Sequence, residues 1–372
     1  YAESHGVQKL QQMIVDDINS LTHELMQRSH VSRRDILVAT AAGNTTMLHA
    51  LLGLEPSYIR REPYVGVGYS PPAFRAAEVG LQIAPRGLLY CLPMISSFVG
   101  ADTVAGMLAV EIDKSDDLSM VIDIGTNGEI AIGNRDWLVC ASASAGPAFE
   151  GAQTRDGMRA QAGAIDHVKI QDKDRLLSFS TVGSAPPRGI CGTGYIDLLA
   201  ELLRVGLIDR TGTLNLECGS SRVRCAGDDA DSGESEYVVV RKEESASGKD
   251  VVITQADIRS MLRAKAAIYA ASCVLLKSLE LTFDDVKRFY VAGAFGNYLV
   301  PENAIIIGLL PDVPLERVRF VGNTSVAGAK LALLSHNHYR RAQQLADKTT
   351  YFELSTAPSF MDEFVSAQFF PH

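Results

Sequence analysis

Four times in this chain, an apolar run of strand character ends in a glycine-rich corner from which a helix or a second strand departs. The corners include G-T-N-G at 125–128, G-I-C-G-T-G at 189–194 and A-G-A-F-G-N at 292–297. Each places backbone N–H groups at the carboxyl end of a strand, where ligands bind in open α/β sheets. Helix N-termini at such corners attract anions. Strand and helix patterns alternate along the chain, which predicts an α/β fold.

The spacing predicts an amphipathic helix over 8–28, with Leu10, Met13, Ile14, Ile18, Leu21 and Leu25 on one stripe. A short strand at 35–40 leads to a helix capped by Asn44 or Thr45 and stopped by Gly53. Residues 55–95 read as irregular, with short strands. A helix over 100–112 carries Asp102 in its first turn, and a meander follows in "SMVIDI", "EIAIG" and "WLVCASA". Residues 147–160 read as helical, and 219–236 as a polar, acidic, mobile surface loop. Thr254 and Asp257 form a near capping box for a long helix reaching about Lys277. Two strand–glycine–helix units complete the pattern, at 286–299 and 317–335.

A chain of 372 residues with 47% hydrophobic content can bury two cores. Its formal charge of −9 excludes the basic footprint of nucleic-acid binders, and no apolar run approaches the ~20 residues that span a bilayer. The chain is expected to be cytoplasmic and a piece of a longer polypeptide. Its six cysteines are scattered without C-x-x-C and read as buried reduced thiols, pairing or metal binding by Cys218 and Cys225 being the alternative for those two. The histidines lack zinc-ligand spacing.

Gly100, Asp102, Ala105 and Gly106 occur in the form G-x-D-x-x-A-G. They are followed by Asp123, Gly125 and Thr126 in a hairpin, Arg263 and Ala264 in the long helix, then Ala292, Gly293, Ala294 and Gly296 after a strand. This order resembles the superfamily of actin, sugar kinases and heat-shock chaperones. "AGNTTMLHALLGL", "DIGTNGEI", "SAGPAFEGA", "GICGTGYID", "VAGAFGNYL" and "FFPH" together resemble one family more closely: the ATP-dependent reductive activators of corrinoid proteins. That resemblance covers essentially the whole chain. It implies a two-lobe actin-like ATPase with ribonuclease H-like lobes, residues 1–99 belonging to an N-terminally truncated first lobe and 100–372 to a second lobe with the phosphate and adenosine motifs. The family's earlier Asp-Ile-Gly-Thr hairpin and its [2Fe–2S] ferredoxin domain are not in this sequence.

The resemblance implies ATP and Mg²⁺ as cofactors, with a [2Fe–2S] cluster only in an upstream domain. It implies hydrolysis coupled to one-electron reduction of Co(II) corrinoid to Co(I) on a methyl-transferring partner protein; a homodimer is left open. The turn Gly125–Thr126–Asn127–Gly128 offers amide and side-chain donors to phosphate. Asp123 beside it makes sense with Mg²⁺ between the like charges. As an isolated motif the same turn reads as a plain hairpin. Asp102 is an N-cap, a residue that orients the attacking nucleophile, or both. Gly192 and Thr193 make a third nucleotide contact or a tight corner. Gly293, Ala294 and Gly296 leave room for adenine and ribose. Gln255, Asp257, Arg259 and Lys265 read at least as well as a solvated, capped helix face as they do as contacts to a partner or nucleotide. A small-molecule kinase and a non-hydrolysing nucleotide sensor stand as the alternative functions.

Overall fold

The computed structural model describes residues 6–171, 177–225, 234–293 and 299–371. Helix α1 (Val7–Ser29) opens the described chain and ends on His30 in the left-handed region. Its helical period is as expected, yet Met13, Leu21 and Leu25 are exposed; the residues it buries are Val7 and Val15. It is held through polar side chains, Gln11 Nε2 donating to Leu51 O at 2.9 Å and Asn19 Nδ2 to Gly80 O at 3.0 Å. Strand β1 (Val38–Ala41) then leads into α2 (Thr45–Leu52). Asn44 caps α2, its side chain accepting from Met47 N, and Gly53 closes it with φ +69°. Strands β2 (Phe74–Arg75) and β3 (Leu88–Cys91) complete a small sheet of order β1-β3-β2, with β1 parallel to β3.

Helix α3 (Ala101–Val110) precedes the meander of β4 (Ser119–Ile124), β5 (Gly128–Gly133) and β6 (Leu138–Ala143). Residues 125–127 alone join β4 to β5, too short for a crossover, so these neighbouring strands run antiparallel. The helix expected over 147–160 is a single 3₁₀ turn, Pro147–Glu150. Gly151 there adopts φ +74°, and a side chain on Gly157 would overlap the Gly151 carbonyl, so the two glycines fold the segment back on itself.

Beyond it come β7 (Ala164–Ile170), β8 (Leu177–Thr181), β9 (Gly189–Ile190) and α4 (Gly192–Arg204). Strands β10 (Val223–Cys225), β11 (Ser235–Val240) and β12 (Val251–Thr254) form an antiparallel sheet. The loop expected over 219–236 is thus strand at both ends, and 226–233 lie outside the described residues. The local cause is Glu236, which is buried where Arg155 and Arg224 each reach it at 2.8 Å. Helix α5 (Gln255–Ser278) starts with both hydrogen bonds of the Thr254–Asp257 capping box.

Strand β13 (Arg288–Ala292), α6 (Pro301–Ile306), β14 (Val318–Gly322), α7 (Thr324–Leu334), α8 (His336–Lys348), β15 (Thr349–Tyr351) and α9 (Phe360–Ser366) complete the order. The largest sheet runs β14-β13-β4-β5-β6-β15, with β13–β14 and β15–β6 parallel.

Two compact units interleave along the chain: 1–121, 131–141 and 323–352 in the first, and 122–130, 142–322 and 353–372 in the second. In the first, α3 and α7 cross without intervening side chains. A Cβ on Gly106 would lie 3.0 Å from Thr324 Oγ1, and one on Gly328 would overlap the Ala105 carbonyl. In the second, α5 buries Ile258, Met261, Ala264, Ile268, Ala271 and Leu275. A helix buried on so many sides sits inside a core. Cys91, Cys140 and Cys191 are buried thiols as expected; Cys225 is exposed, and Cys218 and Cys273 are half-buried.

Candidate functional site: turns converging on the end of strand β4

In the second unit, Asp123 is the penultimate residue of β4 and half-buried. The turn after it is closed by Gly125 N donating to Asn127 O at 3.0 Å. Thr126 Oγ1 donates to Glu150 Oε2 at 2.9 Å. Glu150 had no part in the motif reading, although it lies within the quoted "SAGPAFEGA". The two glycines differ in purpose. A Cβ on Gly128 would lie 2.6 Å from Ile268 Cγ1, so Gly128 lets the turn's base seat on α5. On Gly125, the nearest atom to such a Cβ is Glu150 Oε1 at 3.6 Å, so that side of the turn is open.

Gly293 ends β13 with φ +121°, and its N–H donates to Gly322 O at 3.1 Å. A Cβ there would overlap the carbonyl oxygen of Ile124, the residue between Asp123 and Gly125. The glycine is required twice, by its backbone angle and by this approach. Its consequence is that the chain at Gly293 abuts the residue just before the Gly125–Gly128 turn. Ala294 and Gly296 lie outside the described residues.

Gly192 and Thr193 open α4. Cys191 is the N-cap residue and makes no side-chain cap, so the first-turn N–H groups are left to other acceptors. Thr193 is buried, with Oγ1 3.4 Å from Cys191 Sγ. Its side chain packs inward, and Cys191, Gly192 and Gly194 beside it are buried too.

Asp102 belongs to the first unit. It is not the N-cap of α3: that residue is Gly100, where a side chain would overlap the backbone of Asn44. Asp102 is second in the helix and accepts from Thr103 N at 2.9 Å. Burial pushes its carboxyl above the usual carboxylate range, the Thr103 amide opposing.

The α5 residues depart from a solvated face. Arg259 is exposed, but Gln255 and Asp257 are buried, Gln255 holding Leu214 N and Gly212 O, and Asp257 holding Arg155 N. Lys265 is only 2% exposed; its Nζ donates to Phe369 O at 2.6 Å and lies 5.6 Å from the Phe370 ring centre. Burial lowers its ammonium to about 8. Between pH 8 and the ordinary lysine value, the unfolded chain binds more protons than the folded one, so stability rises with pH across that window. Lys265→Met should flatten this rise, by about 3 kcal/mol over the full window. Urea midpoints of parent and variant at pH 7.5, 8.5 and 9.5 check it. Parallel pH curves would refute the buried cation.

Among the described residues, no helix is long and apolar enough to cross a membrane, and no group of three or more His, Cys, Asp and Glu is placed to hold a metal. The carboxylates Asp123 and Glu150 beside the turn are oxygen donors, the type that a hard divalent cation takes.

The fold is α/β and of the actin-like, or ASKHA, class. A model of the C-terminal domain of RACo, the ASKHA domain, matches residues 117–372, and one of the RACo middle region matches 1–115. The chain belongs to the RACo family. It is similar to the corrinoid activation enzyme RamQ of Eubacterium limosum, at 34% identity over 97% of this chain and 60% of the relative. It is 29% identical to the [Co(II) methylated amine-specific corrinoid protein] reductase of Methanosarcina barkeri, over 72% of this chain and 48% of that protein. A solved structure of a reductive activator for corrinoid, iron-sulfur protein superimposes with TM-score 0.93 and 44% identity, covering 99% of this chain and 58% of that one. The chain thus spans about half to three-fifths of the length of these relatives.

Proposed function

We propose that this chain is the ATPase part of a reductive activator, which uses ATP hydrolysis to drive one-electron reduction of Co(II) corrinoid to Co(I) on a methyl-transferring partner. The observation that carries the nucleotide reading is the approach of Gly293 to Ile124. It supports the reading because Gly293, read as part of the adenosine motif, lies against the residue that precedes the proposed phosphate turn, within one compact unit. The corrinoid reading rests on the relatives, whose names specify corrinoid proteins as what they act on.

In this reading, the amides of 125–128 and of the α4 start bind phosphate oxygens, and Gly293, Ala294 and Gly296 seat adenosine. Asp123 would hold Mg²⁺, which supplies the positive charge that lets phosphate lie beside a carboxylate. Asp102 orients the water that attacks the terminal phosphorus. A reduced iron–sulfur cluster in an upstream domain would supply the electron, and hydrolysis by this chain would drive the docking change that lets it reach cobalt.

An activator must release its product, so the full-length protein should bind the Co(II) form of its corrinoid partner at least tenfold tighter than the methylated Co(III) form. Its phosphate release should rise on adding the Co(II) form. Pull-downs and phosphate-release assays with the partner in each cobalt state check this. Equal binding and stimulation across all states would remove the activator reading. A phosphorylated small molecule in place of free phosphate would favour a kinase.

A further inference from the structure

A buried carboxylate away from the Asp123 turn connects α4, α6 and β7. Asp197 lies one turn into α4 and is 3% exposed. Its Oδ1 accepts from Asn303 Nδ2 on α6 at 2.6 Å. Its Oδ2 accepts from His167 Nδ1 at 2.9 Å and from Val168 N at 3.4 Å, both on β7. A carboxylate can only accept, so His167 carries its proton on Nδ1 whether the ring is neutral or charged. One side chain therefore ties three elements of the second unit. Helix α4 begins at the Gly192–Thr193 corner, and α6 follows the corner that starts at Gly293.

The tie is unusual in what it joins. The α4 start is already fixed on β7: Cys191 N donates to Ile165 O at 3.1 Å, and a side chain on Gly194 would overlap that same carbonyl. Helix α6 is only six residues long and has no side-chain cap at its start. Asn303 gives it a charge-assisted anchor, and such bonds hold geometry more firmly than neutral ones. We infer that Asp197 is a positioning residue for nucleotide: through Asn303 it holds α6, the helix that follows Gly293 in the chain, against α4, which begins at the Gly192–Thr193 corner. This rests on the nucleotide reading given above. Glu201, one turn further along α4, does not share the task; it accepts from Ile170 N at 2.7 Å and pairs with Arg204 at 2.5 Å.

The test exchanges donor and acceptor in the full-length protein. Asn303→Asp sets two carboxylates face to face and should weaken ATP binding at least tenfold at pH 8, with the effect falling on KM more than on kcat. The double variant Asp197→Asn with Asn303→Asp rebuilds the bond in reverse and should return the affinity to within threefold of the parent. Asn303→Leu, which removes the donor without adding charge, should also cost about tenfold, and it serves if Asn303→Asp does not fold. ATP affinity within threefold of the parent in the folded single variants overturns the positioning role while leaving the nucleotide reading standing. So does a folded double variant without rescue. Absence of ATP binding by the parent overturns both.

Discussion

Asp102→Asn in the full-length protein should lower ATP turnover by roughly 10²–10⁴-fold, the range for losing a group that moves or orients a proton. It should leave the melting temperature unchanged or slightly higher. The stability sign follows from burial, which raises the carboxyl. A carboxyl raised in the folded state contributes stability that is complete below its unfolded value. That contribution is lost as pH climbs through the folded value. At neutral pH the charged group is therefore a cost, which asparagine removes. Asparagine can still accept from Thr103 N, so the local bond of α3 survives. The parent's turnover should also fall with acidification at a pH above the ordinary carboxylate range. Turnover within threefold of the parent, together with an unchanged pH profile, would reduce Asp102 to a first-turn helix residue. Measured phosphate release and calorimetric melting decide between these.

Gly293→Ala is expected to weaken ATP binding and lower stability together. Two penalties act at once. The backbone stands at φ +121°, which an L side chain tolerates at about 1–3 kcal/mol. The added carbon would also overlap the Ile124 carbonyl, a backbone atom that cannot rotate aside. Relief requires the corner after β13 to move off the Asp123 turn. Affinity for ATP should fall more than tenfold, about 1.4 kcal/mol or more, and the melting temperature should drop. Gly206→Ala separates the causes: Gly206 has φ +73° and nothing within 4 Å of a built Cβ. It carries the angle penalty alone, about 1 kcal/mol, and should leave ATP binding intact. If the two variants lose equal stability and Gly293→Ala keeps parental ATP affinity, the convergence of the two turns is not what builds the site.

The glycine corners were legible because each depends on residues a few positions apart. The Asn44 cap, the Gly53 stop, the G-T-N-G turn and the Thr254–Asp257 box are all local chemistry. What was not legible depends on distant partners. Lys265 sits in a polar-looking stretch of α5, and only the return of Phe369 and Phe370, a hundred residues later, buries it. Glu236 reads as one more acid in a polar run until Arg155 and Arg224 enclose it. Asp197 and Asn303 are separated by 106 residues, and neither belongs to a recognisable spacing. The 147–160 segment failed for another reason: its apolar residues suit a helix, but Gly151 and Gly157 are placed for a fold-back. The interleaving of the two units was also hidden, since the chain crosses between them within β4, β5 and β6.

The central claim is that nucleotide hydrolysis drives reduction at cobalt. The direct measurement mixes full-length protein, its Co(II) corrinoid partner and an electron donor, and follows the cobalt absorption spectrum under anaerobic conditions. Co(I) should accumulate with ATP, should not accumulate with ADP or a non-hydrolysable analogue, and should form at least a hundredfold more slowly with Asp102→Asn. Co(I) formation at the same rate without nucleotide would contradict it, as would ATP consumption that leaves cobalt in the Co(II) state.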